Sequence, residues 1–397
     1  MKQLFLLAMV AVMACGMGMG AGTDASAKGL SDYLENQGVI TEEYYPNISV
    51  RGRMHLDAGW HDEDEVSFGD GFNARRARMG MSGSLDPNWS FTIEYDFAEE
   101  NVGARAVMLN RSLYGGNLKI GQFKVPMGLN ELTSSNNITF IERASSIAPF
   151  TDAFRMGLGY DYHAGFYGVQ SMVYGRSMGD KDDEGGEDMP MGVGGRVYVN
   201  PLSTGSMMVH LGLSAAYEDR QDYDTISFSD RPEARADSAI QLIGTGDIDN
   251  VDSTFKGGLE LAFQRGPFSM EAEYMMVDID NDNDDPTFDG YHVQASYLLT
   301  GESRSYRNGM FGGVTPANET LGAWEVAARY SHVDLNDSGV DGGEQENITL
   351  GVNYYARSNV RFMANYIFVD VEGSDSLETD IGDDSPNIFL VRAQYSF

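Results

Sequence analysis

Cysteine is nearly missing from this chain: Cys15 is the only one in 397 residues, and it lies in an apolar leader. An exported protein of this length without disulfides must be held by its own hydrogen bonds and packing. Lysine is scarce as well, standing only at residues 2, 28, 119, 124, 181 and 256, and the formal net charge is -33. So acidic a chain lacks the basic footprint that binding to phosphate backbones needs, which argues against nucleic acid as a partner. Long apolar runs are missing too. After Ala27 no eighteen consecutive residues are apolar, so there is no transmembrane helix, and a closed barrel is the remaining way to span a bilayer.

What is there begins with the leader. Lys2, the apolar residues 4–14 and the triplet Ala25-Ser26-Ala27 make a secretory signal with an A-x-A cleavage site, expected over residues 1–27. A lipoprotein signal cut before Cys15 fits less well, because Met13 stands two places ahead of the cysteine. Residues 28–46 have no period of two and read as a short periplasmic segment.

From residue 47 the period changes. Ile48, Val50, Met54, Leu56, Ala58 and Trp60 alternate with Ser49, Arg51, Arg53, His55 and Asp57. That is a strand with one apolar and one charged face. The pattern recurs at 89–97, 252–264, 267–278, 347–356 and 360–369. Counting such segments gives sixteen strands, starting near residues 47, 72, 89, 104, 117, 155, 164, 191, 206, 254, 267, 289, 320, 346, 359 and 387. Short turns at 86–88, 114–116, 200–205, 265–267 and 356–359 alternate with longer, mostly acidic loops at 61–71, 176–190, 219–253, 279–288, 334–345 and 372–386. The connection at 302–319 breaks the rule by being long on the short side. The expected fold is all-β: a single transmembrane antiparallel barrel of about 16 strands over 47–397, with lipid outside and a water-filled lumen inside. The final stretch alternates down to Phe397, an ending that suits recognition by barrel-assembly machinery in a Gram-negative outer membrane. Lipid and lipopolysaccharide are then the neighbours of the outer face.

Motifs for enzyme chemistry are weak. "GRSMG" (175–179) matches G-x-S-x-G but lacks the strand-turn-helix context of a nucleophile elbow. The six histidines form no ligand pair at i, i+3 or i, i+4, and His55, His210 and His292 read as lumen or girdle residues. Asp278, Asp280 and Asp282 have calcium-loop spacing, but Asn283 replaces the required glycine and Asp289 the closing glutamate. The expectation is no enzyme, no cofactor and no metal.

The informative constellation is basic. Arg76 and Arg78 share a face that should be luminal, beside Arg51 and Arg53 of the preceding strand, with Glu94 and Asp96 as partners on the next. Arg75 has lipid-side parity, near enough to the loop end to reach headgroups or curl inward. Several guanidiniums in one wall of a narrow pore create a strong field. The connection after the fifth strand differs from the acidic loops. Leu129, Leu132, Ile138, Phe140 and Ile141 give it apolar residues to bury, so it is expected to fold into the barrel and narrow the pore. Lys124 stands at its start. Glu131 and Glu142 lie on it, opposite the wall expected from Arg53, Arg76, Arg78 and Arg143.

"RGRMHLDAGW" (51–60), "ARRARMGMSG" (74–83), "YDF" (95–97), "LKIGQFKVPMGLNELTSSNNITFIERA" (118–144), "YLLTGESRSYR" (297–307), "GAWEVAARYS" (322–331) and "LGVNYYA" (350–356) resemble the phosphate-selective porin family of O and P type, in order and across the mature chain. The resemblance implies a sixteen-stranded trimeric porin for small ions or solutes, whose third external loop constricts the lumen. It places family site residues on Arg53, Arg75, Arg76, Asp96, Ser134, Ser135 and Arg143. At the central anion site, where the family carries a lysine, this chain has Glu131. Passive diffusion of small hydrophilic solutes is therefore the expected activity, with an anion or phosphate channel as the alternative. A surface protein that conducts little and a barrel hydrolase are the readings from other classes.

Overall fold

The computed structural model describes residues 45–397 apart from 63, 99–101, 180–189, 205–206, 221–224, 237–240, 282–283 and 374–381. The expected signal over 1–27, nearly all of the 28–46 segment and the acidic run at 180–188 lie outside the described residues. Sixteen antiparallel strands close on themselves, each paired with its neighbours in sequence, and the last (Asn387–Ser396) pairs with the first (Asn47–Asp62). Closure leaves no unpaired edge to be satisfied in lipid. At the seam Gly52 N–H donates to the Phe397 carbonyl at 2.9 Å, and Phe397 N–H returns the bond at 3.0 Å.

The period-two pattern sorts the side chains as expected. On the first strand Met54, Leu56 and Trp60 are exposed on the outer wall, whereas His55 and Asp57 are buried on the luminal side. Trp60 stacks on Phe389, and Trp324 packs against Tyr354, giving the outer face aromatic pairs of the kind that sit at membrane interfaces.

Two of the expected loops are not loops in solvent. Strands Ala323–Asp337 and Val340–Arg357 run through 334–345 and turn on Ser338 and Gly339, both at positive φ (22° and 81°). A two-residue turn of this hand matches the twist of the paired strands. Val333 and Leu335 are buried and Val340 packs beside them, so this stretch alternates in spite of its acid content. The 219–253 connection turns inward instead. Its Phe228, Leu242, Ile243 and Ile248 join Ile141, Ile147 and Phe150 of the 125–153 connection and the inward-facing Val277, Phe288, Ile367 and Ile388 of the wall in one apolar cluster. The barrel is therefore dry on one side of its interior. The long 299–322 connection also reaches in, carrying a small ribbon (Tyr306–Arg307 with Met310–Phe311) whose Tyr306 hydroxyl meets Asn200 at 3.0 Å.

Candidate functional site: the wet side of the lumen

The inserted connection, 125–153, is irregular apart from one helical turn at Leu129–Leu132. An irregular backbone inside a barrel must find partners for its polar groups. The wall supplies them. The Glu273 carboxylate accepts Leu129 N–H at 2.6 Å and Asn130 N–H at 2.7 Å. Arg361 donates to the carbonyls of Ile138 (2.7 Å) and Thr139 (2.8 Å), Arg304 to that of Asn137 (2.5 Å), Arg392 to that of Ile141 (2.5 Å), and Arg329 to that of Glu142 (3.1 Å). Arg392 is itself fixed by both oxygens of Asp57, each at 2.7 Å. Four arginines thus hold the constriction in place.

What stays open is a cavity of about 350 Å³ beside the first strands. Arg53 is its floor, donating to Ser134 Oγ (3.2 Å), Ser135 Oγ (3.0 Å) and Glu94 Oε2 (3.1 Å). Arg75 points inward, and the reason is a bulge. His55 faces Arg76 while Leu56 faces Ala74, so Arg75 is an extra residue on the second strand (Gly71–Ser84). A bulge frees such a residue from strict alternation. Arg75 then grips Glu142 with two bonds, 2.8 and 3.0 Å, and Arg76 approaches the same carboxylate at 3.4 Å. Arg78 donates to Asp96 at 2.7 Å, and Asp96 also accepts Ala77 N–H.

Glu131 and Arg143 sit differently from expectation. Arg143 belongs to the inserted connection, not to the strand wall, and its Nε is 2.8 Å from Glu131 Oε2. Lys124, at the end of the fifth strand (Gly116–Lys124), brings Nζ to 2.6 Å from Glu131 Oε1. Glu131 therefore does not oppose the basic wall as a lone charge; it is clamped between two cations. Burial disfavours its ionised form, but Arg143 and Lys124 hold the carboxyl below its usual range.

Of the residues singled out from sequence, Arg53, Arg75, Arg76, Arg78, Lys124, Glu131, Ser134, Ser135, Glu142 and Arg143 all line this cavity, while Asp96 lies behind Arg78. Sequence reasoning missed Arg105, Arg231 and Arg235, which line it as well. The signal for the last two was available: the 219–253 connection holds Ile226, Phe228, Leu242, Ile243 and Ile248, the same apolar content that marked the other inserted segment. Nine basic side chains and five acidic ones line the cavity, so a protein of net charge -33 holds a cavity with an excess of positive charge.

A family model described as "Phosphate-selective porin O and P" matches residues 48–397. Porin O of Pseudomonas aeruginosa is 29% identical over 403 residues, covering 90% of this chain and 90% of that one. Among solved structures, an anion-selective porin from Comamonas acidovorans superposes with a TM-score of 0.56 at 15% identity, over 89% of this chain and 100% of its own. The trimer form of OmpT from Vibrio cholerae gives 0.56 at 14% identity, over 89% and 100%. At such identities the likeness is one of fold.

Proposed function

Because the chain belongs to the phosphate-selective porin O and P family, we propose that it passes small hydrophilic solutes by diffusion with a weak preference for anions and no tight phosphate site. The protein is an outer-membrane porin, and both family and fold are those of a channel. The path runs through the wet side of the lumen, past Arg53, Arg75, Arg76, Arg78, Glu142 and the Lys124–Glu131–Arg143 group. One observation carries the preference: nine basic against five acidic side chains line the narrow cavity. A field in a narrow constriction walled by protein acts on passing ions far more strongly than the carboxylates outside, which salt screens beyond about 8 Å. Tight phosphate binding is disfavoured because Glu131, standing where the family has its lysine, offsets one of the two positive charges of Lys124 and Arg143 and occupies both cations with its own carboxylate.

The reading extends to assembly. Residues 1–27 are removed on export, Phe397 is read by the barrel-assembly machinery, and the barrel stands as a homotrimer among lipid and lipopolysaccharide. The trimer form of the Vibrio cholerae protein supports that last state. The decisive test is planar-bilayer conductance. A reversal potential on the anion side in a KCl gradient, with chloride current blocked by phosphate only at millimolar concentrations, is the expected result. Micromolar block by phosphate, or a cation-selective reversal potential, refutes the reading.

A further inference from the structure

Outside the cavity, on the opposite side of the inserted connection, lies a second polar cluster. The strands Phe268–Asn281 and Thr287–Leu298 bring Glu271, Glu273 and His292 together on the luminal face, with His292 directly across from Glu273 and Gln294 across from Glu271. All four are buried. His292 Nε2 lies 3.4 Å from Glu271 Oε1 and 3.9 Å from Glu273 Oε1. Two carboxylates side by side in a dry site repel each other unless a cation or a proton joins them. Among the described residues no lysine or arginine forms an ion pair with either. Arg304, which shares a small cleft with Glu271 and Gln294, gives its hydrogen bonds to Thr139 Oγ1 (2.7 Å) and the Asn137 carbonyl.

A second observation points to a ligand. Asn130, only 2% exposed, donates Nδ2 to Glu271 Oε1 at 2.6 Å, while its Oδ1 is buried with no hydrogen-bond partner among the described residues. A buried amide oxygen left without a partner is costly. Half a turn of this amide exchanges nitrogen and oxygen, and presents Oδ1 to Glu271 as an additional metal-binding atom.

We propose that Glu271, Glu273, His292 and Asn130 form a site for one divalent cation of the zinc class, which fastens the inserted connection to the barrel wall. One imidazole nitrogen among oxygens suits a borderline ion such as Zn²⁺ better than Ca²⁺ or Mg²⁺, which favour oxygen throughout. Bonds of about 2.0–2.2 Å in a tetrahedron set ligand atoms roughly 3.3–3.6 Å apart. The 3.4 Å separation already meets this, the 3.9 Å one closes with a shift of a few tenths of an ångström, and the flipped Asn130 oxygen, starting 2.6 Å from Glu271 Oε1, must draw back by about 0.7 Å. His292 is also oriented for the task. Its Nδ1 is 3.0 Å from Ser146 Oγ, so an Nδ1–H donated to Ser146 leaves the Nε2 lone pair facing the glutamates. Glu273 keeps lone pairs for a metal while accepting the two backbone N–H groups. The cation would bridge two barrel strands and the helical turn that carries Glu131.

The test uses the folded protein in detergent, stripped with EDTA and titrated with ZnCl₂ by calorimetry, with Co²⁺ as a spectroscopic substitute. The expected results are one Zn²⁺ per chain, an unfolding temperature raised by several degrees, and visible absorption bands of tetrahedral Co²⁺. His292→Gln is expected to weaken binding at least tenfold and to lose the bands. His332→Gln, which alters the outward-facing group of His332, Glu344 and Glu346, is expected to keep both. Stoichiometric binding that survives in His292→Gln, or that falls only in His332→Gln, overturns the proposal. A wild type with neither zinc binding nor cobalt bands overturns it as well and leaves a shared proton between the glutamates. If His292→Gln does not fold, the wild-type cobalt spectrum decides alone: tetrahedral bands support the site and their absence overturns it.

Discussion

Replacing Glu131 by Gln removes one negative charge from the constriction while leaving its scaffold intact. Lys124 Nζ also bonds the Glu131 carbonyl, and Arg143 donates to the carbonyls of Asn130 (3.1 Å), Glu131 (3.0 Å) and Thr133 (3.0 Å). Those backbone partners persist in the variant, so both cations stay where they are and lose only their counter-charge. An ion passing about 6 Å from the vanished charge feels a change of roughly 0.7 kcal/mol in bulk water, and roughly 2.8 kcal/mol at an effective dielectric near 20. Even the weaker limit acts twice, favouring chloride and disfavouring potassium, for a total of about 1.4 kcal/mol. Screening over a Debye length of about 10 Å at 0.1 M salt roughly halves this, leaving a three- to fourfold rise in anion-to-cation permeability. Reversal potential in a KCl gradient measures that ratio directly. A Glu131→Gln pore whose reversal potential equals that of the wild type refutes the placement of Glu131 on the ion path. Glu131→Lys should move the potential further in the same direction.

Other perturbations have equally definite outcomes. Phe397→Ser is expected to lower the yield of folded, heat-modifiable protein in the outer membrane. Gly52→Val should do the same, because a Cβ at Gly52 would stand 2.5 Å from the Phe397 ring; normal yield in both variants would remove the seam from the account. Asp230, on the inserted 219–253 connection, gives a pH dependence. Burial pushes its carboxyl up to about 7, against hydrogen bonds from Ser145 and the Arg231 backbone, with Glu233 and Arg235 as its charged neighbours and Gln345 donating to it at 3.0 Å. A carboxyl whose folded value is raised contributes stability that is complete below its ordinary range, near pH 4, and fades as pH rises through 7. Protease protection of this connection should therefore weaken from pH 6 to pH 8 in the wild type and stay constant in Asp230→Asn; equal dependence in both contradicts the assignment.

Much of this molecule is legible in its sequence, and the physical reasons differ from part to part. Strand placement was legible because a wall between lipid and water imposes a period of two on every residue it contains, as the sorting of Met54, Leu56 and Trp60 from His55 and Asp57 illustrates. The hairpin at Ser338–Gly339 was not, since acidic residues there suggest a solvated loop while the alternate Val333, Leu335 and Val340 hold the strands together. Arg75 was ambiguous for a related reason. Its direction depends on one inserted residue in the pairing, and a bulge leaves no compositional trace. The clamp on Glu131 was hidden too, because Lys124 and Arg143 reach it from either end of an irregular segment with no repeat to give their direction. The Glu271–Glu273–His292 group eluded a search by spacing, because its members meet across strands instead of along a helix.

The one-sided apolar cluster has a consequence for how this protein can change over generations. Its dry half, built on Phe150, Phe228, Phe288 and Ile388, carries packing that a substitution would disturb at a cost of several kcal/mol. The cavity carries charges that are themselves largely buried and paired, as in Arg75–Glu142 and Lys124–Glu131, so a substitution that strands one partner is costly and one that keeps the pair matched is mild. Ala234 belongs to the apolar cluster and also lines the cavity, so the two regions adjoin inside the barrel. A lineage can therefore retune which solutes it admits most freely through coupled changes that keep each buried charge matched, while changes within the apolar cluster act chiefly on stability.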